Sequence, residues 1–125
     1  MARILVIDDD PQIRDVLKQF LEREGYEVAV APDGNAGLRL HRADSAGLLI
    51  TDIVMPEKEG LETIMEFRHH FPAVPIIAVS GGGKNGPQDY LNPARALGAQ
   101  KTFSKPFDFQ ELLAAVRELL PEDPK

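Results

Sequence analysis

Apolar runs and polar, helix-length segments alternate along this chain almost from end to end. "ARILVID", "YEVAV", "GLLIT", "VPIIAVS" and "QKTFSK" are short, and each is rich in branched or aromatic residues. Runs of this kind predict strands buried on both faces, as in a parallel sheet. Between the first two, Ile13, Val16, Leu17, Phe20 and Leu21 recur at i, i+3, i+4, i+7 and i+8, which is the stripe of an amphipathic helix. Pro11 suits the first turn of that helix and Gly25 its end. The last segment repeats the stripe with Phe109, Leu112, Leu113, Val116 and Leu119, with Asp108 as N-cap and Pro121 as stop. A third helix is predicted over about Glu57 to His70, with Leu61, Ile64 and Met65 on one side. The second, about Asp33 to Ala43, is weakened by Gly34 and Gly37.

The fourth connection, "GGGKNGPQDYLNPARALGA", cannot be one helix, because Pro87 and Pro93 cannot both lie in a helix interior. A short helix fits better, capped by Asn92, begun by Pro93 and ended by Gly98, after a long connection from Gly81 to Leu91. Five strands in alternation with five helices predict an α/β fold, a doubly wound parallel sheet. Sites in such sheets form outside the carboxyl ends of the strands. Asp8 and Asp9 end the first strand, Asp52 the third, Ser80 the fourth and Lys105 the fifth. The pattern therefore gathers the conspicuous polar residues on one edge.

With 125 residues and no internal repeat, a single domain over 1–125 with no second domain in the chain is expected. Cysteine is absent, which excludes a disulfide scaffold, a thiolate metal site and a cysteine nucleophile. No apolar run approaches the roughly 20 residues that span a bilayer, and "MARILVIDD" reaches acids too soon for a signal peptide. A cytoplasmic protein without membrane insertion is expected. The formal net charge of -6 works against direct nucleic-acid binding.

Strand-end placement would bring Asp8, Asp9 and Asp52 together, and hard oxygen donors with room for water are what Mg²⁺ prefers. Capping and dipole compensation would explain each acid separately but not their common address. Asp10, directly before Pro11, is read as a plain cap. Three carboxylates and the Lys105 ammonium leave a deficit that one dication would neutralise. Pro106 fixes a turn that aims Lys105 across the strand ends. Ser80 would pass for a turn residue before Gly81 but for its place on a neighbouring strand end.

"GGGKNG" matches G-x-G-x-x-G in Gly81, Gly83 and Gly86, yet it follows the fourth strand, Pro87 intrudes, and no acid stands where a ribose would need one. A loop is the better reading. His69 and His70, at the end of the third helix, complement its dipole rather than bind metal, and His41 has no evident partner.

Together, "ILVIDDDP", "LLITDIVMPEKEG", "IIAVSG" and "FSKPF" resemble the receiver domain of two-component response regulators, over essentially the whole chain. The resemblance implies a flavodoxin-like sheet of order 2-1-3-4-5, an order taken from the family. It further implies that Asp52 accepts a phosphoryl group from a sensor histidine kinase or phosphotransfer protein. Asp9, Asp52 and the main-chain carbonyl of Val54 would bind Mg²⁺ directly and Asp8 through water. Lys105 would pair with the phosphoryl oxygens, and Ser80 would donate to one of them and bias a surface read by a downstream protein. A phosphoacceptor of this kind is not an enzyme beyond its own phosphorylation and dephosphorylation. Two rivals share the pattern: a Mg²⁺-dependent phosphohydrolase with Asp8 as nucleophile, and a receiver-like module that is never phosphorylated. The chain departs from the family at Thr102, where an aromatic switch residue is usual, with Phe103 expected on the other side of its strand. The stretch from Ser80 to Lys105 is also longer than usual. Val54 and Gly82 put no polar group where one could guide a hydrolytic water, so slow loss of the phosphate is expected.

Overall fold

In the computed structural model, which describes residues 2–53, 60–80, 98–104 and 108–120, five parallel strands form one sheet. They are β1 (Arg3–Ile7), β2 (Glu27–Ala31), β3 (Leu48–Asp52), β4 (Ile76–Ser80) and β5 (Lys101–Ser104), in the order β2-β1-β3-β4-β5. The expected order is thus the observed one. β1, β3 and β4 have neighbours on both edges and helices over both faces, which is why their apolar runs are unbroken. Ile4 and Val6 face one side with α1 (Pro11–Arg23) and the last helix, α4 (Phe109–Leu119). Leu5 and Ile7 face the other, against α2 (Gly34–Ala43) and α3 (Gly60–His70).

The described residues hold four helices; the fifth one expected, from Asn92 to Leu97, lies outside them, as do residues 57–59 of the third and Pro121. Gly98, the glycine expected to end that helix, has φ 124. Asp10 and Asp108 cap as expected, accepting from the N–H groups of Gln12 and Gln110 at 2.9 and 2.7 Å, and Asp33 accepts from Ala36. Gly25, at φ 101, takes the left-handed turn that ends α1.

The stripe expected for α3 needs a correction. Leu61 and Ile64 pack inward, but Met65 is 52% exposed, and Thr63 and Phe67 are fully buried instead. At 100° per residue, Ile64 and Phe67 share a face while Met65 has turned off it. Val16 and Phe109 likewise sit on the wet margins of their stripes, and the Phe109 ring lies 5.1 Å from that of Phe20.

Gly37, which weakens α2 in isolation, lets that helix approach β1. A methyl group there would lie 2.8 Å from Ile7 Cγ1 and closer still to Cδ1, and Ile7 is completely buried. Overpacking costs about 1–3 kcal/mol, against a gain of at most about 1 kcal/mol in helix propensity. Gly37→Ala should therefore lower the urea midpoint of unfolding, whereas a helix limited by propensity alone would be stabilised.

His41 is buried at the α2–α3 contact, its Nδ1 accepting the Ala46 N–H at 3.0 Å and its ring edge-on to Phe71 at 4.3 Å. Burial, and then the positive charge of Arg3, hold its pKa below the ordinary 6.5. A base with a depressed folded pKa binds its proton more readily in the unfolded chain. His41's contribution is accordingly complete above pH 6.5 and falls away below it, levelling off only under the folded value. Between pH 7 and 5 the unfolding free energy of the wild type should fall more steeply than that of His41→Asn. The extra slope approaches about 1.4 kcal/mol per pH unit at most, the value for one proton. Equal slopes would place the acid sensitivity elsewhere.

Candidate metal centre

β1 and β3 run side by side in register, with Ile7 opposite Thr51, so the chain delivers Asp8 and Asp52 to one end of the sheet. Asp8, Asp9 and Asp52 each offer a carboxylate oxygen, and the three oxygens all lie within 4.8 Å of one another. Asp8 and Asp52 are buried and Asp9 is exposed, which leaves the cluster open to water on one side.

Main-chain bonds fix this corner. The Asp8 N–H donates to the carbonyl of Ala31 at 3.1 Å, continuing the β1–β2 ladder. Its Oδ1 accepts the Asp10 N–H at 2.9 Å, and its carbonyl accepts Nη1 of Arg14 at 2.7 Å. On β3 the hydroxyl of buried Thr51 donates to the Asp52 carbonyl at 2.9 Å, and the next N–H, of Ile53, reaches the Val79 carbonyl. Both bonds hold the one peptide plane that joins Asp52 to Ile53. Ser80, also fully buried, ends the neighbouring strand β4, with Ser104 as its partner on β5.

Asp8, Asp9 and Asp52 are thus brought together as expected, Ser80 stands one strand over, and Asp10 turns away to cap α1. Lys105, Pro106, Val54 and the Gly81 to Leu91 connection lie outside the described residues. His69 and His70 are exposed in the last turn of α3, their rings edge to face at 4.8 Å. Neither joins a group of three metal-binding side chains among the described residues. Arg14 had no part in the sequence reading. The one signal for it was a cation a single helical turn past the acids.

Thr102 is paired with Ala78, on the α2–α3 face, and Phe103 with Val79, so Phe103 lies on the opposite face, against the cluster that holds Ile77 and Val79. The ring does lie on the side expected for it.

The donor set fits a small hard dication. Oxygens about 2.1 Å from one Mg²⁺ lie at most about 4.2 Å apart in octahedral geometry, so three within 4.8 Å need only small side-chain rotations to share it. Among the described residues, no nitrogen or sulfur donor belongs to the cluster.

The model of the response regulator receiver domain family matches residues 4–117. The transcriptional regulatory protein CpxR of Escherichia coli is 37% identical over 122 residues, which cover 96% of this chain and 50% of CpxR. The response regulator MprA of Mycobacterium bovis is 35% identical, covering 98% of this chain and 54% of MprA. The chain spans about half the length of the curated relatives it matches. Among solved structures, a receiver domain protein from Clostridium thermocellum superposes with TM-score 0.87 at 32% identity, covering 96% of this chain and 94% of that one. The response regulator TrrA of Thermotoga maritima, solved in complex with Mg²⁺-BeF, does so with TM-score 0.83 at 36% identity, covering 96% and 100%. With its fold, its strand-end acids and these matches in agreement, the chain belongs to the response regulator receiver domain family of two-component signalling.

Proposed function

We propose that residues 1–125 work as one receiver unit in which Asp52 is the phosphoacceptor. The observation that carries this is the convergence of Asp8, Asp9 and Asp52 at the carboxyl ends of β1 and β3, in a chain of this family. In the transfer, a carboxylate oxygen of Asp52 attacks the phosphorus of a phosphohistidine on a sensor kinase or phosphotransfer protein. The new O–P bond forms as the P–N bond breaks, and the imidazole keeps the electron pair and takes up a proton. Such a transfer asks mainly for positioning and charge neutralisation. Asp9, Asp52 and the Val54 carbonyl would hold Mg²⁺ directly, Asp8 would act through water, and the bound ion would supply charge to offset that of the phosphoryl oxygens. Lys105 would pair with those oxygens, and Ser80 would donate to one of them.

The output is a conformational one, in the cytoplasm, and is read by a downstream protein rather than by direct contact of this unit with nucleic acid. Replacing a charge of -1 by about -2 at a buried strand end is enough to bias a two-state surface. Thr102 gives that surface no swinging ring, so Ser80 must act through its own loop. With Val54 two residues after Asp52 in the sequence and Gly82 two after Ser80, neither position offers a polar group to guide a hydrolytic water, and the phosphate should persist longer than seconds.

The test is intact-mass analysis after exposure to acetyl phosphate. One acid-labile phosphoryl group is expected with Mg²⁺ present and none once the metal is chelated. Unchanged mass under both conditions, in protein shown to be folded, would leave only the reading of a module that is never phosphorylated.

A further inference from the structure

Among the described residues, Arg14 is the cation tied to the acidic corner, and it makes no ion pair with any of the three carboxylates there. Its Nη1 donates instead to the main-chain carbonyl of Asp8 at 2.7 Å. That carbonyl belongs to the peptide plane joining Asp8 to Asp9. Fixing the plane therefore fixes ψ of Asp8 and φ of Asp9 together. Asp8 has other restraints, its N–H to Ala31 and its Oδ1 to the Asp10 N–H. Asp9 is exposed, and among the described residues its carboxylate receives no hydrogen bond, so its direction depends on the backbone beneath it.

A second observation separates this role from ordinary helix design. Arg14 stands at the fourth position of α1, where its own N–H makes the first bond of the helix, to the Asp10 carbonyl. The start of a helix disfavours a cation, since its free N–H groups already carry partial positive charge. The first turn of α1 contains no acid, and the half-buried guanidinium lies over that turn, bonded back to the end of β1. Its location follows from the Asp8 carbonyl and runs against the helix dipole.

We infer that Arg14 is a positioning residue for the divalent cation, holding the Asp8–Asp9 peptide so that both carboxylates face the ion. The inference rests on the metal site proposed above. Two effects of the guanidinium have opposite signs. Its charge repels a dication and on its own would weaken binding, whereas its hydrogen bond preorganises the acids and strengthens it. Groups that orient metal ligands commonly change affinity by about 10–100-fold, while a partly exposed charge is screened, so the positioning effect should prevail.

The experiment is a Mg²⁺ titration followed by backbone amide NMR shifts, on the full chain, for the wild type, Arg14→Met, Arg14→Gln and Asp52→Asn. Circular dichroism melting would establish that each variant is folded at the titration temperature. Arg14→Met should raise the Kd for Mg²⁺ about tenfold, and Arg14→Gln, which keeps an N–H donor without the charge, should recover part of that loss. If both neutral variants bind Mg²⁺ as tightly as the wild type or tighter, Arg14 acts by charge or only on the fold, and the inference is overturned. Asp52→Asn separates this outcome from failure of the metal site itself: if it binds Mg²⁺ like the wild type, the site is wrong whatever Arg14 does.

Discussion

Asp52→Asn should abolish the acid-labile phosphate altogether. Asparagine has the shape of aspartate, and it keeps the bonds from Thr51 Oγ1 to the residue 52 carbonyl and from the Ile53 N–H to the Val79 carbonyl. The fold around the site should therefore survive. What disappears is the nucleophile, since a carboxamide has no anionic oxygen to form the bond to phosphorus, and one of the three charges available to Mg²⁺. Intact mass after acetyl phosphate and Mg²⁺ should show the wild type gaining one phosphoryl group and Asp52→Asn gaining none. Asp8→Asn should retain the acceptor and lose speed. The reverse pattern, with phosphate transfer that survives Asp52→Asn and dies with Asp8→Asn, would point to the phosphohydrolase arrangement on the first strand.

The largest effect on stability should come from Phe67→Ala. The Phe67 ring is completely buried between α3 and the sheet, 5.2 Å from the ring of His41 and 5.5 Å from that of Phe71. Truncation removes its burial energy and leaves a hole that surrounding strands cannot collapse into, for a loss of about 3–5 kcal/mol. Domains of this size have about 5–15 kcal/mol in total. The urea midpoint should fall steeply with little change in the m-value. A loss below about 1 kcal/mol would mean that the α2–α3 contact repacks freely. The same change should reduce the acid sensitivity assigned to His41, because a hole beside the imidazole admits water and relieves the burial that depresses its pKa.

The three inner strands were legible because a strand buried on both faces has few polar positions, and "ILVI", "LLIT" and "IIAVS" have almost none, whereas the edge strands β2 and β5 are partly exposed and not buried on both faces as their sequences suggested. Asp10 and Asp108 were legible as caps because a cap is a local bond, closed within two residues. The strand-end acids were legible for a topological reason: parallel strands all end on the same side. Met65 was misread and Phe67 left out because a stripe found in sequence has margins, and which margin is dry depends on the neighbouring helix. Gly37 looked like a weakness in α2 because propensity sees one helix, whereas its benefit is a close approach to Ile7 that exists only after packing.

By itself, then, the sequence determined the alternation of elements, the caps, the family and the edge on which the chemistry stands, all of which follow from period, local bonding or chain direction. The tertiary structure alone decided that three carboxylate oxygens fall within 4.8 Å, that Arg14 holds the Asp8 carbonyl and that His41 is buried neutral against two phenylalanines. Those are contacts between segments far apart in the chain or folded back through a turn. Their distances depend on sheet register and helix docking, which no local pattern records.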